Sequence, residues 1–253
     1  MEEVIAIVNQ KGGVGKSTTA VNLGASLVEL GKKVLLIDID PQGNASSGVG
    51  LNKNDIENCI YDVLVNDCLL AEVIVNTELI NFDLAPATLE LAGAEIELVS
   101  KLSREERLKQ AFAKSSLDYD YVLIDCPPSL SLLTLNALTA ADSILVPIQC
   151  EYYALEGLSQ LLSTIELVKG NLNEDLELEG VVLTMYDART NLSQQVRDEV
   201  QNHFGEQVYK TIIPRNVRLS EAPSFGQPIN LYDSSSAGAQ AYLSLAKEVI
   251  DCE

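Results

Sequence analysis

The chain has 253 residues, 47% of them apolar and 21% charged, with no tryptophan and a formal net charge of −20 from 37 acidic and 17 basic side chains. That length suffices for a well-buried core, and apolar runs such as those at 34–37 and 121–124 are far too short to cross a bilayer. The acidity repels nucleic acid and anionic lipid overall, so any such binding has to come from a local basic patch.

Short apolar runs alternate with amphipathic stretches from the first residues onward. Strands are expected at 4–9, 33–39, 80–87, 119–126, 143–149, 178–186 and 207–214. Helices are expected at 16–30, 88–100, 103–117, 131–140, 154–169, 191–204 and 236–250. The strand runs lack polar alternation, as in strands covered on both faces, which predicts an α/β fold: a mainly parallel twisted sheet flanked by helices. No repeat, low-complexity tract or linker interrupts the series, so residues 1–253 are read as a single domain. The stretch 52–80 gives only a helical guess. In such sheets ligands sit at the carboxyl ends of the strands, which gathers the loops after Asn9, Ile39, Ile124, Met185 and Ile213 on one edge. The first strand begins almost at Met1 and leaves no room for a signal peptide, so a cytoplasmic protein is expected.

Cys59, Cys68, Cys126, Cys150 and Cys252 form no CxxC pair and read as reduced, mostly structural thiols. His203, the single histidine, has no partners for a metal site and reads as a surface residue.

The chemistry is concentrated in NQKGGVGKST, residues 9–18, between the first strand and its helix. Gly12, Gly13 and Gly15, with Val14 between them, let successive backbone N–H groups turn inward around phosphate oxygens. Lys16 adds a point charge at the β/γ-phosphates, the Ser17 hydroxyl can hold Mg²⁺, and the helix that begins here, with Thr18 in its first turn, offers its positive dipole end. The first position of the usual G-x-x-x-x-G-K-[ST] pattern is Gln10 here, and Lys11 follows it. Further on, Asp38 and Asp40 lie at alternate positions, so both could point to one face if the strand continues that far. DPQGN (40–44) ends the second strand, and YVLIDCPPS (121–129) ends an apolar strand in Asp125, where a carboxylate can hold a Mg²⁺-bound water opposite Ser17.

KGGVGKST resembles the deviant Walker A motif of the ParA, MinD and nitrogenase-iron-protein group of P-loop ATPases. The resemblance implies ATP and Mg²⁺ as cofactors and ATP-dependent homodimerisation. It also implies that Lys11 reaches the partner subunit's phosphates, supplying charge in trans as an arginine finger does. It makes Asp40 the switch I aspartate, near the attacking water and Mg²⁺, and Asp125 the start of switch II, with Ser129 beginning the γ-phosphate-responsive loop. By the same match the base is expected at Pro214, Arg215 and Asn216, after the seventh strand. Met185 stands where relatives often have asparagine, and it reads as core rather than base contact.

The stretches IENCIYDVL, PATLELAGAEIELV, CEYYALEGLSQLL, LTMYDARTNLS and IPRNVRLSEAPSFGQPI are similar to the chromosomal ParA/Soj branch. Members of that branch are segregation ATPases whose ATP dimer coats double-stranded DNA non-specifically and whose hydrolysis a ParB-type partner stimulates. The resemblance therefore implies association with the nucleoid in the ATP state. The early first strand argues against an N-terminal helix-turn-helix extension, and the tail AYLSLAKEVIDCE lacks the basic face of a membrane-targeting helix, so no membrane partner is expected. By family match the DNA contacts are Arg189, Arg218 and Lys247. Lys210, Arg215 and Arg218 against Glu221 make residues 207–232 locally basic, although only slightly. The alternative is a nucleotide-controlled regulator acting through protein partners, such as a replication initiator or a polarity factor, with weak DNA binding. The bland reading of the arginines pairs them with nearby acids such as Asp187.

Overall fold

The computed structural model describes residues 3–52, 55–151 and 156–251, the last stretch with side chains from residue 161. Cys252, and the start of the helix expected at 154–169, lie outside the described residues.

Strands β1 (Glu3–Ile7), β2 (Val34–Asp38), β3 (Val75–Asn76), β4 (Phe82–Ala85), β5 (Tyr121–Asp125), β6 (Ser143–Gln149), β7 (Glu177–Tyr186) and β8 (Val208–Pro214) form one sheet in the order β3-β4-β2-β5-β1-β6-β7-β8. All neighbours run parallel except the two-residue edge strand β3, which pairs antiparallel with β4. β1 lies between β5 and β6, so the chain leaves it with crossovers to either side, and its carboxyl end opens onto the crevice that parallel sheets use for ligands.

The strands are apolar at consecutive positions because each face meets helices. Ala6, Leu35, Ile37, Val122 and Ile124 point into one core, and Ile5, Ile7, Leu36, Tyr121 and Leu123 into the other. The first core is covered by α3 (Ile60–Val65), α5 (Leu91–Glu97), α6 (Arg107–Lys114), α7 (Leu132–Ala140), α8 (Glu156–Asn171) and α9 (Asn191–Phe204). The second lies under α1 (Lys16–Glu29) and α12 (Ala237–Asp251), which are joined by a bond between the Thr19 and buried Tyr242 hydroxyls at 3.2 Å. Short helices α2 (Asn44–Gly48), α4 (Leu70–Val73), α10 (Val217–Glu221) and α11 (Ile229–Asp233) fill the connections. The opaque stretch 52–80 thus holds α3, α4 and β3.

The far edge is finished differently. Val181 pairs with Val208 and Leu183 with Ile212, so residues 209–211 bulge from the ladder. The Glu248 carboxylate of α12 accepts from the Lys210 and Thr211 backbone N–H groups at 2.8 Å, and from the Thr211 hydroxyl. Among the described residues no helix is long and apolar enough to cross a membrane. Cys59, Cys68, Cys126 and Cys150 are free thiols, all buried but Cys68.

Candidate nucleotide site

The loop from β1 to α1 wraps the sheet edge as its residues require. Gly13 and Gly15 sit at φ 75 and 94, in the left-handed region where a Cβ is penalised, and Gly15 is the N-cap of α1. The loop is held from below. Asn9 donates to the Pro147 carbonyl at 2.8 Å and accepts from the Lys11 N–H at 3.0 Å, while the Thr184 hydroxyl donates to the Val14 carbonyl at 2.8 Å. The Lys16 ammonium is buried in the loop and donates to the Lys11 carbonyl at 3.2 Å. Burial lowers its pKa, against the opposing pull of Asp125, Cys126 and Asp40.

The loop floors a cavity of about 450 Å³. Gly12, Gly13, Gly15, Lys16, Ser17 and Thr18 form its base, and Asp40, Gln42, Asn44 and Pro128 stand over one end. The other end is walled by Asn22, Met185, Ala222, Pro223 and Gln227. Val14, whose carbonyl turns down to Thr184, is buried and does not line the cavity. Lys11 lies at the rim, its ammonium 3.8 Å from Glu151, and is likewise not a lining residue.

Asp38, Asp40 and Asp125 lie close enough beneath the loop for their charges to act on one another. Asp38 and Asp125 are register partners on β2 and β5, and both are fully buried. Asp38 accepts from the Ser46 N–H and hydroxyl, each at 2.8 Å, and from the Asp40 N–H at 3.2 Å. Even so, burial lifts its pKa to about 6. Asp125 is raised well above the usual carboxylate range, by burial first and by the Asp38 charge second. The facing Ser17 hydroxyl and Lys16 oppose that rise, yet neither Asp125 oxygen has a hydrogen bond of full geometry. A buried carboxylate without a hydrogen bond of full geometry, beside a hydroxyl and a second carboxylate, fits a divalent cation that keeps some of its waters.

Several expectations change here. Asp38 and Asp40 do not act alike: Asp40 lines the cavity, whereas Asp38 turns beneath it and fixes α2 through Ser46. Pro214, Arg215 and Asn216 do not line the cavity. Asn216 is spent as the N-cap of α10, accepting from the Arg218 N–H at 2.8 Å, and the Arg215 N–H donates to the Tyr186 carbonyl. The wall comes instead from the next turn, Ala222–Gln227, and from Met185, read from sequence as core but half-buried on the cavity wall at φ 51. Asn22 was missed as well; its side chain accepts from the Ile229 N–H at 2.7 Å and so locks that wall to α1. The wall is also clamped to the turn after α2, because Gly50 and Gly226 pack backbone to backbone and a Cβ on Gly226 would stand 2.6 Å from the Gly50 Cα.

The cationic candidates are scattered and partnered. Arg189 makes a bidentate pair with Asp187 at 2.8 and 2.7 Å, and Arg218 reaches Glu221 at 2.9 Å and Asp233 at 3.5 Å. Lys247 is exposed on α12.

A family model described as an AAA domain matches residues 2–178. The chain is 64% identical over 249 residues to the sporulation initiation inhibitor protein Soj of Bacillus subtilis, covering 98% of both chains. It is 56% identical to the chromosome partitioning protein ParA of Myxococcus xanthus, covering 98% of this chain and 87% of the relative. Among solved structures, cobyrinic acid a,c-diamide synthase from Mycobacterium smegmatis, with bound ADP and magnesium, superposes at a TM-score of 0.87 with 40% identity. That match covers 99% of this chain and 94% of the other. With near-complete coverage by relatives of more than half identical sequence, the chain belongs to the Soj/ParA family of chromosome-partitioning ATPases.

Proposed function

We propose that the chain works as one domain, an ATP- and Mg²⁺-dependent switch that dimerises on ATP and hydrolyses it slowly until a ParB-type partner engages. The observation that carries this reading is the Asp125 carboxylate, buried under a glycine loop beside Lys16 and Ser17 and without a hydrogen bond of full geometry. Bound Mg²⁺ would supply charge neutralisation at the β- and γ-phosphates. Ser17 and Asp125 are the groups suited to hold it, with Asp40 close by. The loop N–H groups of Gly12, Gly13, Val14 and Gly15, with Thr18 at the helix start, cradle phosphate, and Lys16 binds it as a point charge. Asp40, whose carboxylate accepts from the Gln42 N–H at 2.9 Å, is aimed to orient the attacking water. Lys11 at the rim is free to serve a second copy's phosphates, its exposed pairing with Glu151 being weak. Met185 and Pro223 offer apolar walls to the base.

In the ATP state the dimer binds duplex DNA non-specifically through Arg189, Arg218 and Lys247, in the cytoplasm and on the nucleoid. The pairing of both arginines with acids favours a second reading, a regulator whose output is another protein. One experiment separates them: Asp40→Ala protein is titrated with random duplex DNA at low salt, with ATP and then with ADP. The variant should bind ATP without hydrolysing it, and a fully active variant removes Asp40 from the mechanism. DNA binding only with ATP, lost in Arg189→Ala or Arg218→Ala, supports the scaffolded ATPase. An ATP dimer that ignores DNA supports the regulator.

A further inference from the structure

The end of the cavity walled by Met185, Ala222 and Pro223 holds two carboxamide side chains, Asn22 and Gln227, and they are used differently. Asn22 is buried with both ends of its amide engaged: the oxygen accepts from the Ile229 N–H at 2.7 Å, and the nitrogen donates to the Thr18 carbonyl at 2.7 Å. Gln227 is half-buried on the wall, and its side chain has no hydrogen-bond partner among the described residues.

The turn that carries Gln227 is fixed from several sides. The Gln227 N–H donates to the Ala222 carbonyl at 3.2 Å and the Gly226 N–H to the Pro223 carbonyl at 3.1 Å. Gly226 takes φ 64 and packs on the Gly50 backbone, and two residues beyond Gln227 the Ile229 N–H is held by Asn22. Met185 also lines this end, from a backbone at φ 51 that an L side chain adopts only at a cost. The wall is therefore preset, and the unspent amide stands among apolar neighbours.

We infer that Gln227 sets the base specificity of this site, its amide hydrogen-bonding the 6-amino edge of adenine while Met185 and Pro223 cover the ring. The inference rests on the reading of the cavity as a nucleotide site. A carboxamide presents one donor group and one acceptor side by side, and adenine's 6-amino group and adjoining ring nitrogen present the complementary pair. A base without that amino group leaves the amide oxygen unpaired inside the cavity, a penalty that an all-apolar wall does not impose.

The test is isothermal titration of the full chain, in Mg²⁺, with ADP, with purine riboside diphosphate (ADP lacking the 6-amino group) and with pyrophosphate. The wild type should bind ADP about tenfold or more tightly than the analogue. Gln227→Leu should bring ADP down to the analogue's affinity while leaving pyrophosphate binding unchanged. Gln227→Glu, which keeps the acceptor and loses the donor, should retain part of the preference. An equal loss of ADP and analogue in Gln227→Leu would make the glutamine a packing residue and overturn the proposal, as would an unchanged ADP affinity in both variants. The underlying reading fails in another way. A wild type that binds neither ADP nor pyrophosphate has no nucleotide site, and the proposal goes with it. A wild type that binds pyrophosphate as tightly as ADP keeps the phosphate cradle and loses the base contact alone.

Discussion

Ser46 is the residue whose removal should reveal most about how α2 and the loop before it are held. Its hydroxyl donates to Asp38 and accepts the Ala87 N–H, both in buried surroundings. Ser46→Ala takes one donor from a buried carboxylate, worth about 1.5–3 kcal/mol, and strands a buried N–H, worth about 1–3 kcal/mol. The two losses share one atom and relax together, so about 2–4 kcal/mol is expected rather than their sum. The assay is urea unfolding without nucleotide at pH 7.5, with the slope checked to be unchanged. In a double-mutant cycle with Asp38→Asn, the two changes should couple by at least about 1 kcal/mol. A Ser46→Ala protein within about 0.5 kcal/mol of wild type would refute the latch, because that is the range of an ordinary surface change.

Asp125→Asn removes a buried charge that faces Asp38, so in EDTA the apo variant should gain about 1–3 kcal/mol. It should also lose the thermal shift that Mg²⁺ gives with nucleotide; a persisting shift would place the cation elsewhere. Gly226→Ala should cost about 2 kcal/mol or more, from its φ of 64 and the Gly50 backbone in the way, and should weaken nucleotide binding by isothermal titration. An unaltered affinity would mean that the two walls are independent. Cys68 donates to Glu72 at 3.0 Å, and that bond chiefly pushes its pKa up to about 11, so little thiolate exists at pH 8. Glu72→Gln should speed its alkylation at pH 8 about tenfold or more, read by peptide mapping, with the gain shrinking as pH rises through 11. No change in rate would remove the bond as the cause.

The sheet was legible because its strands are apolar on both faces, and β6 spans 143–149 as expected. The phosphate loop was legible because glycines, lysine and hydroxyl must be adjacent in sequence to act together. The far wall of the cavity was not, since Met185 at the end of β7 and Ala222, Pro223 and Gln227 between α10 and α11 are brought together only by folding. The family match points to Pro214–Asn216, which do not line the cavity, and there the asparagine caps α10. The role of Asp38 was hidden for a similar reason. Alternation puts Asp38 and Asp40 on one face only while the strand lasts, and β2 ends at Asp38. Within 52–80 the elements are four to six residues long or shorter, too brief for a periodicity to register.

Glu248 has a meaning beyond the two N–H groups it accepts. A parallel sheet that stops at an open strand is a template, and in a crowded setting each molecule could extend its neighbour's ladder. Here the bulge at 209–211 breaks the repeat and the carboxylate occupies the donors it frees. At the opposite margin β3 is only two residues long and antiparallel. Both margins are thus stoppered, and molecules gathered at high local density can meet through chosen faces without polymerising through their backbones.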